Sequence, residues 1–458
     1  MAAKVRGGGR SDNGSGPSPP PITRVTICGY KSISEPQSFE IRPLTILAGA
    51  NSSGKSSVMQ PLLLLKQTVS EGSDPGAILL DGPNVRCTSV NELLSRHQSS
   101  QGKDGFLVGV QIGSHSTVTT HYTKADGGFG IEQMKYEQPG KPEIAFREGM
   151  THDEIEPLVP EEFKSLRSKI EPNARWKVLR RRCFLELAIG IEGEDAIQLG
   201  LSPAAPVMYH VEGMIHLPGL RGNPEPTYPV RAVGRHFPGL FQDYVASVID
   251  KWQAGKSEAL GSLNADLKRL GLSWKVEAKH VSDTRVELRV GRLPRAVVGG
   301  QNDVVSIAHV GFGVSQALPV LVALHVAVPG QLVYIEQPEI HLHPKAQVVL
   351  AQMLAAAAKR GVRVVAETHS SLLLLGVQSL VASGKLPADL VKLHWFERKS
   401  DGTTDINSAD LDKAGAFGPW PEDFGTTELE AEKSYLDAAE ISHLKGGDGD
   451  NDFETSGH

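Results

Sequence analysis

The stretch Gly49-Ala-Asn-Ser-Ser-Gly54-Lys55-Ser56-Ser57 constrains this chain more than any other. It fits G-x-x-x-x-G-K-[ST], a pattern that needs a strand before it and a helix after it. The glycines let successive backbone N–H groups curl around phosphate oxygens at a helix N-terminus. Both flanks are legible. Leu44-Thr-Ile-Leu47 is a short β-rich run, and Val58 to Val69 carries Leu62 to Leu65 with helix-forming Lys66 and Gln67. Pro61 is tolerable there only in the first turn or two. Lys55 is then placed for the β- and γ-phosphates and Ser56 for Mg²⁺, while Gly49, Asn51, Ser52, Ser53, Gly54 and Ser57 complete the cradle. The loop implies ATP with Mg²⁺.

With 458 residues the chain exceeds the size at which one core stops growing, so one large composite domain with insertions, or two domains, is expected. A net charge of −6 argues against coating nucleic acid through overall charge and leaves room only for a local basic patch. The best such patch is Arg175-Trp-Lys177 with Arg180-Arg-Arg182, which could contact phosphate backbones, although such runs are usually solvated helix faces. Cys28, Cys87 and Cys183 lack metal-ligand spacing and fit a reducing compartment. Met1 to Pro21, rich in Gly, Ser and Pro, reads as a flexible leader rather than a signal peptide. No run reaches the roughly 18 apolar residues of a membrane span. A cytoplasmic protein with no membrane partner is expected.

Short β-rich runs precede the loop at Arg24 to Cys28 and Phe39 to Ile41. In the middle, Phe106 to Ile112, Ser116 to Tyr122 and Thr284 to Val290 alternate like antiparallel strands, and Glu161 to Ile170 and Gln242 to Leu270 look helical. From Val304 a helix (Ser315 to Val328), a strand (Gln331 to Ile335), a helix (Pro344 to Lys359), a strand (Val362 to Ala366) and a helix (Ser370 to Ser383) follow, with a last strand near Leu390 to Arg398. Apolar strands alternating with helices imply a parallel sheet covered on both faces. The expected divisions are a leader 1–21, the first part of a head 22–95, an insertion or middle region 96–300, the second part of the head 301–400, a C-terminal domain 401–446 and a flexible tail 447–458.

Two strand ends carry further chemistry. Leu332-Val-Tyr-Ile335 runs into Glu336-Gln-Pro-Glu339, and a carboxylate ending an apolar strand beside a phosphate loop is placed to hold Mg²⁺ or its hydration shell. Glu336 is that candidate. His341 and His343 lack a third ligand and the i, i+4 helical spacing of zinc hydrolases, so they are read as ending a loop. Val362 to Ala366 ends in Glu367-Thr-His369-Ser370, and His369, at the edge where ligands bind in open parallel sheets, is read as a γ-phosphate sensor.

Together these motifs resemble the ABC-type AAA ATPases related to SMC and OLD-family proteins. Gly29-Tyr-Lys-Ser-Ile33 with Leu44 to Ser57 looks like that family's opening strands and Walker A. Glu336-Gln-Pro-Glu-Ile-His-Leu-His-Pro344 looks like its Walker B and D-loop, and Thr368-His-Ser370 like its H-switch. His216-Leu-Pro-Gly-Leu-Arg221-Gly-Asn-Pro-Glu225, and Asp410 onward into Trp420-Pro-Glu-Asp-Phe424, resemble a subgroup with a short C-terminal domain of unknown function. The resemblance implies an α/β fold: an ABC-type P-loop NTPase head with a mostly parallel sheet, an antiparallel β part and a mixed α/β insertion. It also implies a homodimer that sandwiches ATP, each subunit's signature motif completing the other's site. Gly311-Phe-Gly313-Val-Ser315-Gln316, ahead of a helix, is the signature candidate, with Gly313, Ser315 and Gln316 toward the partner's γ-phosphate. Its order is degenerate.

A second departure bears on rate. The position of the family's catalytic glutamate is Gln337, whose amide orients water but cannot take its proton, so hydrolysis is expected to be slow unless Glu339 substitutes. No Q-loop is evident among Gln60, Gln67 and Gln98. The resulting expectation is a dimerising ATPase that regulates a partner, a nuclease or other effector or DNA, in nucleic-acid surveillance, repair or phage defence. A nucleotide-gated switch with little turnover is the alternative, and a nuclease in its own right ranks below both for want of a suitable carboxylate cluster.

Overall fold

The computed structural model describes residues 19–96, 104–159, 164, 174–191, 197–293, 295, 303–418 and 433–440. Residues 1–18, most of the helix expected at 161–170, Gln98, the stretch 420–424 and the tail 447–458 lie outside them.

Six strands form the central sheet, in the order Ile215–Leu217, Leu332–Glu336, Arg363–Thr368, Leu44–Gly49, Val391–Arg398, Thr404–Ala409. Neighbours run parallel except the last pair, which is antiparallel. The inner strands are buried on both faces, as their continuous apolar runs require. Their period of two sends Leu44, Ile46, Val333, Ile335, Val364 and Ala366 into one core and Leu47, Leu332, Tyr334, Val365 and Phe396 into a second. Helices Phe312–Val326, Pro344–Lys359 and Ser371–Ala382 cover the first face, and Lys55–Ser70 with Ala205–Glu212 the other. This is the mixed α/β architecture of a P-loop NTPase.

The antiparallel part is a six-stranded sheet ordered Gln37–Glu40, Ile22–Cys28, Gly105–Ile112, Ser116–Ala125, Gly128–Glu137, Ile144–Phe146. Strands from the expected middle region 96–300 join sheets with strands from outside it. Gly105–Ile112 pairs with Ile22–Cys28, and Ile215–Leu217 joins the central sheet beside Leu332–Glu336. Within that region, 242–270 is not one helix: Val245–Ala254 and Glu258–Arg269 are separated at Gly255, and Ser257 caps the second. Most of the arginine run lies on a strand, Ala174–Arg181, with Arg182 on the turn after it; Arg180 pairs with Asp74 and Arg181 with Glu186. Asp74 and Glu186 thus each offset one of the patch's charges.

Candidate nucleotide site

The parallel strands end together. Register pairs Leu47 with Glu367, Ala48 with Thr368, Glu336 with Glu367, and Gly49 with Phe396, so one sheet edge gathers the loop and both acidic strand ends. The loop leaves the strand at Gly49, φ +146°, turns through Ser52 at +60° and enters the helix from Gly54 at +103°. A Cβ on Gly49 would stand 2.4 Å from the Phe396 carbonyl oxygen, and one on Gly54 2.5 Å from Thr404 Oγ1. Both positions need glycine for space as well as torsion. Thr404 also donates to the Ser53 carbonyl at 2.8 Å, tying the loop to the edge strand.

Lys55 Nζ donates to the carbonyls of Gly49 (3.0 Å) and Ala50 (2.7 Å), curled back over its own loop. Burial lowers its pKa, and Glu367 and Glu339 work against that fall. Ser56 Oγ donates to Glu367, 3.0 and 2.9 Å from the two carboxylate oxygens, and Tyr334 OH donates to the same group at 2.9 Å. Glu336, the sequence candidate beside Ser56, faces elsewhere. It accepts from His216 Nε2 at 3.1 Å and from the Gly219 N–H at 3.2 Å, while His216 Nδ1 accepts from Asn84. The reason is strand order: Arg363–Thr368 lies between the loop strand and Leu332–Glu336. The two carboxyls consequently differ. Burial pushes Glu336 up, but His216 and the Gly219 N–H outweigh it and hold it below the ordinary value. Burial, with the charge of Glu336 nearby, raises Glu367.

Asn51, Ser52, Gly54, Lys55, Ser56 and Ser57 line a cavity of about 370 Å³ together with Gln337, Glu367, His369 and Arg398. Glu339 is not among its lining residues. Its Oε1 accepts from Thr368 Oγ1 (2.7 Å) and the His369 N–H (3.0 Å), and its Oε2 is buried without a hydrogen-bond partner among the described residues. Burial raises its pKa. His369 bonds to the Gly49 backbone, and burial, then the charge of Lys55, lowers its pKa. Gln337 holds φ at +45°, a strained value for a residue with a side chain, at the cavity wall.

The signature candidate differs from expectation. The helix begins at Phe312, with Gly311 as cap, so Gly313, Ser315 and Gln316 lie inside its first turns. Ser315 donates to the Phe312 carbonyl and Gln316 to Gly222, and both are buried within the chain. Gly311 and Phe312 are exposed, and Gly313 is half-buried. His341 packs against the Phe312 ring and His343 caps helix Pro344–Lys359. Gln67 holds the backbone of Leu79 and Val85, and Gln60 accepts from Tyr30 and Lys31.

Three residues escaped the sequence reading. Glu367 carried the same signal as Glu336, an acidic end to an apolar strand. Arg398 closes the strand paired with the loop strand. Arg221 donates to the carbonyls of Gln316, Glu336 and Gln337 at 3.3, 2.7 and 3.2 Å, and only its place in a quoted motif marked it.

Residues 255–375 match the family model described as "AAA domain, putative AbiEii toxin, Type IV TA system". No curated protein matches. Among solved structures, an SMC head bound to the C-winged helix domain of ScpA is 13% identical, with a TM-score of 0.47 over 86% of this chain and 99% of that one. The SMC head domain from Thermotoga maritima is 10% identical, with a TM-score of 0.35 over 85% of this chain and 100% of its own. An SMC head with an extended coiled coil, bound to the C-terminal domain of ScpA derived from Pyrococcus furiosus, is 11% identical, with a TM-score of 0.44 over 86% and 98%. Among the described residues no helix is long and apolar enough to cross a membrane.

Proposed function

We infer that this chain, which carries an AAA-type ATPase head of the ABC/SMC-like kind, binds ATP with Mg²⁺ at Gly49 to Ser57 and closes as a homodimer around it. The observation that carries the reading is the convergence of Lys55, Ser56, Glu367, Gln337 and His369 on one cavity at the carboxyl edge of the sheet. Loop N–H groups and Lys55 would hold the β- and γ-phosphates, the lysine exchanging its two loop carbonyls for phosphate oxygens. Ser56 and Glu367 fit Mg²⁺, a hard cation that takes oxygen donors. When bound, that ion neutralises charge developing between the phosphates. His369 is placed to sense the γ-phosphate, and Gln337 to orient water.

Hydrolysis is slow in this reading, because the cavity wall carries an amide at Gln337 and Glu339 is engaged with Thr368 and His369. The same observation favours a second reading, a nucleotide-gated switch with little turnover. Exposed Leu220, next to the Gly219 whose N–H meets Glu336, and exposed Phe312, beside His341, give the closing surface an apolar share, at 81% and 53% exposure. The partner regulated by closure, a nuclease or other effector or DNA, and the setting in surveillance, repair or phage defence rest on the motif resemblance and on the toxin in the matched family's description.

Light scattering with ATP, ADP and no nucleotide, beside calorimetry of MgATP, tests this. A dimer with ATP alone is expected. A monomer that holds MgATP removes the closure, and failure to bind MgATP removes the site.

A further inference from the structure

A larger cavity, about 430 Å³, lies behind the signature helix, walled by Ser315, Leu318 and Pro319 on one side and by the loop from Arg221 to Pro229 on another. It shares no lining residue with the phosphate-loop cavity, although Ser315 of the signature candidate is on its wall. Its volume is within the roughly 300–1,000 Å³ of small-molecule sites.

The wall's charges are unevenly matched. Arg231 pairs with Asp243 at 3.2 Å. Arg285 donates only to Thr227, at Oγ1 and the carbonyl, and has no carboxylate within 4.0 Å among the described residues. Arg221 is 6% exposed and, among the described residues, donates only to backbone carbonyls and leaves its Nε buried without a partner. Burial lowers its pKa to about 10 against the opposing charges of Glu339 and Glu336, so at neutral pH it remains a buried cation, with no carboxylate within 4.0 Å among the described residues. Among the cavity's lining residues, three arginines face two carboxylates, Glu225 and Asp243. The rest of the lining includes Tyr228, Val245, Leu288 and Leu318, an apolar wall suited to a flat ring.

We propose that this cavity is a second ligand site, for a small phosphate-bearing molecule of mononucleotide size, with Arg285 and Arg221 supplying the positive charge and the apolar wall the ring contact. Its position gives it a route to the sheet edge. Arg221 grips Gln316 of the signature helix and both Glu336 and Gln337, so the cavity wall and the nucleotide-site strand end share one guanidinium.

The test uses the full chain carrying Lys55→Ala, which disables the phosphate loop, titrated calorimetrically with AMP and separately with inorganic phosphate. AMP should bind in this background. Adding Arg285→Gln should weaken it about 10-fold or more, the loss expected of a charged hydrogen bond. Adding Asp243→Asn should tighten it, since a competing carboxylate is removed from the wall. Phosphate binding with the same two responses would support the anion site and assign its source as free phosphate. No binding of either probe, or binding indifferent to both substitutions, overturns the proposal. Melting temperatures check that each variant folds, and the opposite signs of the two substitutions separate an electrostatic effect from damage. Neither readout requires ATP at the phosphate loop, so this inference and the proposed function fail independently.

Discussion

Ser56 Oγ and the Glu367 carboxylate, 311 positions apart in the chain, meet at 3.0 and 2.9 Å, although Glu336 ends the strand that resembles Walker B. The loop strand has Arg363–Thr368 as its immediate neighbour, and Leu332–Glu336 is one place further out. Glu367→Gln should therefore reduce the Mg²⁺-dependent part of ATP affinity by about 10- to 100-fold, the range for groups supporting a metal site. Glu336→Gln should reduce it less. Calorimetry with MgATP and with ATP plus EDTA separates the two, and a larger loss in Glu336→Gln would return the metal role to that residue.

Gln337 borders the phosphate cavity while Glu339 is turned toward Thr368 and the His369 N–H. Introducing a base with Gln337→Glu should raise kcat, by on the order of 10²-fold if general base catalysis is fully restored. Glu339→Gln should lower stability rather than abolish a native rate. Steady-state phosphate release, with a melting curve for each variant, decides it. Abolished turnover in Glu339→Gln, together with no gain in Gln337→Glu, would make Glu339 the working base.

Gly49→Ala combines a left-handed torsion with a 2.4 Å approach to the Phe396 carbonyl. The substitution should destabilise the fold by about 1–3 kcal/mol and remove nucleotide binding. Denaturant unfolding and nucleotide titration measure the two effects separately.

His394 is buried between Glu40 and Ser408, its Nε2 donating to the Glu40 carbonyl and its Nδ1 accepting from Ser408. Burial, the largest cause, lowers its pKa to about 4. Between that value and the unfolded value near 6.5 the unfolded chain binds the extra proton, so stability rises with pH across the window. Acidification through it should remove about 3 kcal/mol. His394→Gln should flatten this slope relative to the native chain in denaturant melts at pH 4.5, 5.5 and 7. Equal slopes would count against it.

The phosphate loop was readable because its geometry is local. Glycine torsions, the strand before it and the helix after it all lie within about thirty consecutive residues, and Lys55 and Ser56 are fixed by that turn. The alternation after Val304 likewise exposed the parallel sheet, because strands buried on both faces must be apolar throughout. Helix starts were less legible. Phe312-Gly313 reads as a loop from composition, yet the helix begins there, and Ser315 and Gln316 face inward as a result.

The sequence by itself determined the glycine-rich turn between strand and helix, the layered α/β head and which strand ends are acidic. Only the tertiary structure decided which acid meets Ser56, because the order of strands in a sheet is set by crossover connections and side-chain packing that periodicity does not encode. The same holds for Arg221 and Arg285. Each is an ordinary charge in the sequence, and what distinguishes them is that folding meets their guanidinium groups with carbonyl and hydroxyl oxygens, and with no carboxylate within 4.0 Å among the described residues.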